Sequence, residues 1–455
     1  MASKLGIYGL STMGKNLALN FVDKNTPISV FNRTSGVTYE FVRTVNSSNL
    51  IGFELLQDFL DSLEYPRVIF LLIKSEAVHK VLEEMAPLLS PDDIVVDLGN
   101  SFYRESRQLS QKYRDKFNFI DCGISGGEEG ARYGASFMLG GTERSLHVKN
   151  ILERVAAKTK DYPCVELFEG SGAGHFVKML HNAIEYAVMQ FLGEIYACLK
   201  KFKLEDFEIA AVFESVSKTE LNSYLLQITI DILNFSKENG ILDQIEEKSG
   251  QKGTGKWAVQ TALDYGLGVP NITCAVEARN LSHYFSEFQL RNSTMVDKKI
   301  DCGPLIDLFY LFYIAIYDQA VQVLRKSREI ELFNFKLNQP FKVWQAGSIL
   351  ASDHIHRLTV EELDSTDSFI RGPREIRDFF IYDFEKQMAS LKNFIKIGLD
   401  AGCFMPCCMS VYNYLTGLTA SFPLGFNLIQ AQRDYFGRHG VLLKGQTNLT
   451  NIKWK

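Results

Sequence analysis

The sequence predicts an α/β domain of doubly wound type followed by a large all-α domain. Three observations carry this. Apolar runs of strand length alternate with helical patterns up to about residue 170. A glycine turn joins the first run to the first helical pattern. Beyond about residue 170 strand signals almost vanish and long amphipathic periods take over.

Leu5-Gly-Ile-Tyr-Gly-Leu reads as the first strand, ending in glycine, and a helical pattern opens at Asn16. Ile28-Ser-Val-Phe is the second strand, with Asn32, Arg33 and Thr34 at its exit. Val68-Ile-Phe-Leu-Leu-Ile and Ile94-Val-Val-Asp-Leu-Gly-Asn follow, with a helix expected over 79–89 between them. Phe119-Ile-Asp-Cys-Gly-Ile is a further strand, ending in Ser125-Gly126-Gly127. Strands that alternate with helices predict a parallel sheet. Helices are then expected over 176–202, 205–216, 223–235, 274–288, 305–326 and 382–401. From about residue 422 glycines and polar residues predict an irregular terminal segment.

Composition sets limits. The chain has 455 residues, 46% hydrophobic and 23% charged, enough for a sizeable core in two or three domains. A net charge of −5 gives no bias toward nucleic acid. No uncharged apolar run reaches membrane-spanning length. The N-terminal residues read directly into a strand, so no signal peptide is expected. The eight cysteines are scattered. Cys403, Cys407 and Cys408 cluster, but without histidine or a second pair at zinc spacing. Reduced thiols and a cytoplasmic setting are expected, with no nucleic-acid or membrane partner.

The residues with chemistry in them concentrate after Gly174. Lys178, His181, Asn182 and Glu185 are offset by three, four and seven positions. On a helix they share one face, with Tyr186 at its edge. Phe176, Val177, Met179, Leu180, Ile184 and Ala187 fill much of the rest, so the helix is expected to be buried and its polar face to need partners. A lysine and a glutamate held there can serve as base and acid. An inert ion-pair pattern on a solvated face is the alternative from spacing alone.

Gly9-Leu-Ser-Thr-Met-Gly14 lies between the first strand and the first helix, with Ser11 where G-x-G-x-x-G has its second glycine. In that position a glycine turn brings backbone N–H groups and a helix N-terminus to a pyrophosphate. No carboxylate stands at the exit of the second strand to take a ribose hydroxyl. Arg33 is there instead, and its guanidinium suits a 2′-phosphate, so NADP is expected over NAD. The stretch from Gly250 to Lys256 matches GxxxxGK. Trp257 stands where a P-loop needs Ser or Thr, and no apolar strand precedes it, so a basic loop closing on an anionic substrate is the expectation. Near the C-terminus, Arg433, Arg438 and His439 gather in one short run.

Taken together the chain resembles the 6-phosphogluconate dehydrogenases. The resemblance rests on Gly9–Gly14, Asn32-Arg33-Thr34, Asp97-Leu-Gly-Asn100-Ser, Gly123-Ile-Ser-Gly-Gly-Glu-Glu-Gly-Ala-Arg-Tyr-Gly134, Gly174-His-Phe-Val-Lys-Met-Leu-His-Asn-Ala-Ile-Glu-Tyr186, Gly250–Trp257 and the Ile-Gln-Ala-Gln-Arg-Asp-Tyr-Phe run ending at Phe436. It implies oxidative decarboxylation of 6-phosphogluconate to ribulose 5-phosphate, carbon dioxide and NADPH, without a metal. It implies an NADP-binding Rossmann-type domain over 1–172, a helical substrate and dimerisation domain over 173–423, and a tail over 424–455 that docks on a partner subunit. It makes Lys178 the base and Glu185 the acid. Asn100, Ser125, Gly126, Gly127, His181, Asn182, Tyr186, Lys252, Arg279, Arg433 and His439 are its substrate residues, the last two reaching across a homodimer. Gly9, Leu10, Ser11, Met13, Gly14, Asn32, Arg33, Thr34, Lys74 and Asn100 are its cofactor residues.

The sequence departs from that family at Ser11, Leu98, Leu139, Ala183, Gln345 and Ala351, and in the Gly-Val-Leu after His439. Two alternatives stay open at this point: a related NAD(P)-dependent β-hydroxyacid dehydrogenase with another substrate, and a non-catalytic NADPH-binding protein.

Overall fold

A computed structural model describes residues 3–284, 295–297, 300–363, 382–421 and 424–454. Eight strands form one sheet: β1 (Leu5–Tyr8), β2 (Ile28–Phe31), β3 (Leu50–Phe53), β4 (Val68–Leu71), β5 (Ile94–Asp97), β6 (Asn118–Ser125), β7 (Ser136–Gly141) and β8 (Val165–Glu169). Their spatial order is β3-β2-β1-β4-β5-β6-β7-β8. The first six strands are parallel, and crossing helices cover both faces. This is the expected doubly wound order.

Three strands were not expected. β3 is a short edge strand interrupted by Gly52, and paired glycines end β7. β7 runs antiparallel to β6, with Ser125 opposite Ser136, so the sheet is mixed rather than wholly parallel. The reversal follows from the short connection, a single seven-residue helix Gly127–Tyr133. β8 returns parallel to β7.

The parallel strands end in register, with Tyr8 beside Phe31 and Leu71, and Asp97 beside Leu71 and Asp121. Their carboxyl ends therefore gather Gly9–Gly14, Asn32–Thr34, Lys74 and Asn100 along one edge of the sheet. Ligands bind at this edge in open α/β sheets.

The helical part begins with a 29-residue helix, Ala173–Lys201, called here the lysine helix. It is buried along most of its length, as its nearly all-round apolar sequence requires. A second long helix, Leu305–Ile330, packs across it. Phe191 stacks on Phe312 at 4.3 Å and meets Phe309 edge-on at 5.0 Å, contacts worth about 0.5–1.5 kcal/mol each beyond their buried area. Glu331 joins the two parts of the molecule. Its carboxylate accepts from Tyr103 at 2.8 Å, Tyr265 at 3.0 Å and Arg107 at 2.6 Å.

Most expected helices form close to their expected bounds, several with their caps. Ser223 caps Tyr224–Asn239, Asp383 caps Phe384–Asp400, and Glu205 with Glu208 makes a capping box for Asp206–Ser217. The helix expected over 274–288 starts earlier, at Pro270, and ends at Ser282; residues 285–288 lie outside the described residues. The terminal segment is more ordered than expected. It holds a helix, Phe426–Gly437, and a small hairpin closed by Val441–Leu442 and Leu449–Thr450. No helix among the described residues is long and apolar enough to cross a membrane.

Candidate active site

The site is built by one face of β6 against one face of the lysine helix. Alternate strand residues point the same way, so Asp121, Gly123 and Ser125 all meet the helix. They meet it at His175, Lys178 and His181, each one turn beyond the last. Gly123 has no side chain because there is no space for one. A Cβ there would lie 2.3 Å from Lys178 Cβ. The lysine stem lies on the bare strand.

The polar face assembles as its spacing implies. Lys178 is buried, and its Nζ lies 3.4 Å from His181 Nδ1. His181 Nδ1 is also 3.2 Å from Asn182 Oδ1 and 3.8 Å from Glu185 Oε2. Its other nitrogen, Nε2, is 3.0 Å from Ser125 Oγ, which also accepts the N–H of Ile349 at 3.2 Å. Trp344 closes edge-on against the imidazole at 5.7 Å. Asn182 Nδ2 donates to Asn100 Oδ1 at 3.4 Å, which brings the helix to the cofactor edge of the sheet.

Burial sets the electrostatics. It lowers the Lys178 amine to about 8, against the pull of Glu185 in the other direction. It raises the Glu185 carboxyl above the usual range, with Lys178 and then Arg279 opposing. It pushes the His181 imidazole well down, and Lys178 adds to this. Each group is thus moved toward its neutral form. A neutral amine can take a proton and a neutral carboxyl can give one.

At the Tyr186 edge of this face, Arg279 lies 3.6 Å over the Tyr186 ring and donates to the Gly250 carbonyl at 3.0 Å. This links the lysine helix to the basic loop. Lys252 is exposed in that loop, and the helix Thr254–Asp264 starts directly after it. Lys256 and Trp257, expected in a loop, are on that helix. Arg433 and His439 are exposed in the tail. Their described contacts are to tail residues, Gln430 at 3.0 Å and Phe436, and none of these described contacts is to the Lys178 face.

The nucleotide end has the features an anion cradle needs. Gly9 has φ of +107°, and a Cβ would lie 2.7 Å from the Leu72 carbonyl. Ser11 is the N-cap of the helix Thr12–Asp23 and accepts the Gly14 N–H at 3.4 Å. Leu10 donates its N–H to Asn32 Oδ1 at 3.1 Å, which ties the turn to the second strand exit. Met13 lies in the first turn of that helix, whose N–H groups lack intrahelical acceptors. Arg33, Thr34 and Lys74 are exposed beside it, with Lys74 at the start of the helix Ser75–Met85. A dinucleotide with a 2′-phosphate fits this donor set.

Sequence reading assigned no role to three buried polar residues that support the site. Asp97 accepts from Gly99 N–H at 2.9 Å and Ser101 Oγ at 2.6 Å, shaping the turn that presents Asn100. His175 Nε2 donates to the Asp97 carbonyl at 3.1 Å, with Nδ1 2.7 Å from Ser106 Oγ. Asp121 bonds to the start of the lysine helix. Carboxylates inside otherwise apolar strands were the signal. Among the departures, Ala183 is fully buried on the apolar side, and Gln345 accepts from Tyr162 at 2.5 Å and donates to Asp353 at 2.7 Å.

Comparison with known proteins agrees along the whole chain. The family model for the NAD binding domain of 6-phosphogluconate dehydrogenase matches residues 4–167, and that for the 6-phosphogluconate dehydrogenase C-terminal domain matches residues 174–454. The decarboxylating 6-phosphogluconate dehydrogenase of Buchnera aphidicola from Acyrthosiphon pisum is 34% identical, over 99% of both chains. That of Rattus norvegicus is 36% identical, over 96% of this chain and 93% of its own. Plasmodium falciparum 6-phosphogluconate dehydrogenase, solved in apo form and in complex with its cofactor NADP+ and its substrate 6-phosphogluconate, has a TM-score of 0.91. It is 29% identical over 99% of this chain and 100% of its own.

Proposed function

Since this chain belongs to the 6-phosphogluconate dehydrogenase family, we propose that the face carrying Lys178 is where it oxidatively decarboxylates 6-phosphogluconate with NADP. The products are ribulose 5-phosphate, carbon dioxide and NADPH. The observation that carries this reading is the pairing of a buried amine and a half-buried carboxyl, both moved toward neutrality and both set against His181 Nδ1.

Gly9, Leu10, Ser11, Met13 and Gly14, with Asn32, Arg33, Thr34 and Lys74, would hold NADP, which would supply the hydride acceptor. Lys178 removes the proton of the 3-hydroxyl as hydride leaves C3. The resulting 3-keto acid loses carbon dioxide because the adjacent carbonyl accepts the electron pair. The Lys178 ammonium, buried and 3.4 Å from His181, stabilises the enolate oxygen. Glu185 then protonates C1 of the enediol. Ser125, Gly126, Gly127, His181 and Asn182 hold the carboxylate and hydroxyls, with Asn100 reaching both sugar and nicotinamide. Tyr186, Lys252 and Arg279 bind the phosphate.

The site is completed in a homodimer by Arg433 and His439 from a second copy. Two facts support this. These residues do not meet the Lys178 face of their own chain among the described contacts, and the helix that carries Arg433 leaves Phe426 and Phe436 exposed at 69% and 74%. In this reading the cofactor domain spans 1–172, the helical domain 173–423 and the docking tail 424–455, in a cytoplasmic enzyme.

The test is NADPH formation from 6-phosphogluconate with NADP or NAD, with gluconate as the unphosphorylated comparison. Rapid turnover with the phosphorylated acid and NADP is expected. Equal turnover of gluconate would favour the related β-hydroxyacid dehydrogenase, and tight NADPH binding without turnover would favour the non-catalytic protein.

A further inference from the structure

We propose that Asp121 is a positioning residue for the base: it sets the height of the lysine helix along β6, and with it the place of Lys178. The proposal rests on the reading of Lys178 as the base.

The lysine helix starts at Gly172, a cap residue without a side chain to accept a first-turn N–H. Asp121 does this from the neighbouring strand. Its Oδ1 accepts the Gly172 N–H at 2.7 Å and its Oδ2 the His175 N–H at 2.8 Å. One buried carboxylate thus makes the two bonds of a helix cap across 51 and 54 positions of sequence. Negative charge there also suits the helix dipole. Space is made for it: a Cβ on Gly140 would lie 2.4 to 2.6 Å from the Asp121 carboxyl atoms.

Of the three strand–helix contacts, this one resists sliding most. Gly123 meets the Lys178 stem by surface contact, which limits approach but not translation. Ser125 and His181 share one bond between rotatable side chains. Asp121 grips two backbone N–H groups of the helix itself. Lys178 lies three residues beyond the second of them.

The test compares Asp121→Asn, Asp121→Ala and Gly140→Ala by steady-state kinetics and kcat against pH. A misplaced base costs rate steeply, so kcat is expected to fall about tenfold in Asp121→Asn and about a hundredfold in Asp121→Ala. KM for NADP should stay within about twofold, since the nucleotide turn is not touched. The acid limb of kcat should move to higher pH, because a displaced Lys178 gains water and its amine returns toward its ordinary range. A purely structural role lowers the folded fraction without moving that limb. Gly140→Ala presses on the intact carboxylate and should change kcat and the limb in the same direction, so it decides the matter if Asp121→Ala does not fold. Parental kcat and limb in folded variants would overturn the proposal, as would lost activity with an unmoved limb. Turnover surviving in Lys178→Met would instead remove the base assignment beneath it, and that is read with Asp121 intact.

Discussion

Ser125 Oγ lies 3.0 Å from His181 Nε2, joining the end of β6 to the same turn of the helix that carries Lys178. The same oxygen accepts the Ile349 N–H at 3.2 Å, so strand, helix and the segment after Trp344 meet at one hydroxyl.

Ser125→Ala removes both bonds and leaves a buried imidazole nitrogen and an amide short of a partner. This should lower kcat/KM for 6-phosphogluconate about 10- to 100-fold, the cost of one or two unsatisfied buried groups. KM for NADP should stay near parental. Steady-state kinetics check this, and unchanged kcat/KM would remove the hydroxyl from the site.

Glu185→Gln carries a sign that can be worked out. The carboxylate attracts the Lys178 ammonium and raises its pKa, while burial lowers it to about 8. Removing that charge lets the amine fall further. The residual rate, reduced by loss of the acid, should therefore show its acid limb at lower pH than the parent. A limb moved to higher pH would contradict the coupling. In the parent the limbs belong to the pair, not to either residue alone.

Arg279 stacks on Tyr186 at 3.6 Å and is expected to hold the phosphate. Arg279→Ala should raise KM for 6-phosphogluconate about tenfold or more, the scale of a charge-assisted contact, with a smaller change in kcat. Any slow turnover of gluconate should be unaffected. Parallel losses with both substrates would place Arg279 in the scaffold instead.

Glu194 ties stability to pH. It is buried on the lysine helix and accepts the N–H groups of Cys407 and Cys408 at 2.7 and 2.9 Å. Burial raises its carboxyl to about 7, against those donors. A folded pKa above the unfolded one means the folded chain holds the extra proton. Its contribution is full below the ordinary carboxylate range and is lost as pH rises through about 7. This group should lower stability by roughly 3 kcal/mol across that window. Denaturant unfolding of Glu194→Gln, which does not titrate, should give a flatter pH dependence. The parental slope in the variant would show that the group does not titrate there.

What could be read in the sequence follows from the physics of each element. β1, β2, β4, β5 and β6 are mostly apolar and buried on both faces, so they stood out even with Ser29, Asp97 and Asp121 among them. β3, β7 and β8 did not, because Gly52, Gly140, Glu166 and Glu169 interrupt them. The polar face of the lysine helix was legible because spacing alone places Lys178, His181, Asn182 and Glu185 together. Asp121 was not, since its partners lie more than fifty residues away and only the fold brings them near. The tail helix Phe426–Gly437 was missed for another reason. Its apolar residues are exposed in this chain, and glycines at both ends suggested a loop.

The most direct test of the central claim is the turnover of Lys178→Met with 6-phosphogluconate and NADP, measured beside NADP affinity by fluorescence. Methionine keeps the stem that lies against Gly123 and removes the amine. The expected result is loss of at least about a thousandfold in kcat, as for removal of a general base that also stabilises the enolate, with NADP affinity within about threefold of the parent. Near-parental kcat in the folded variant would contradict the assignment of Lys178 as the base.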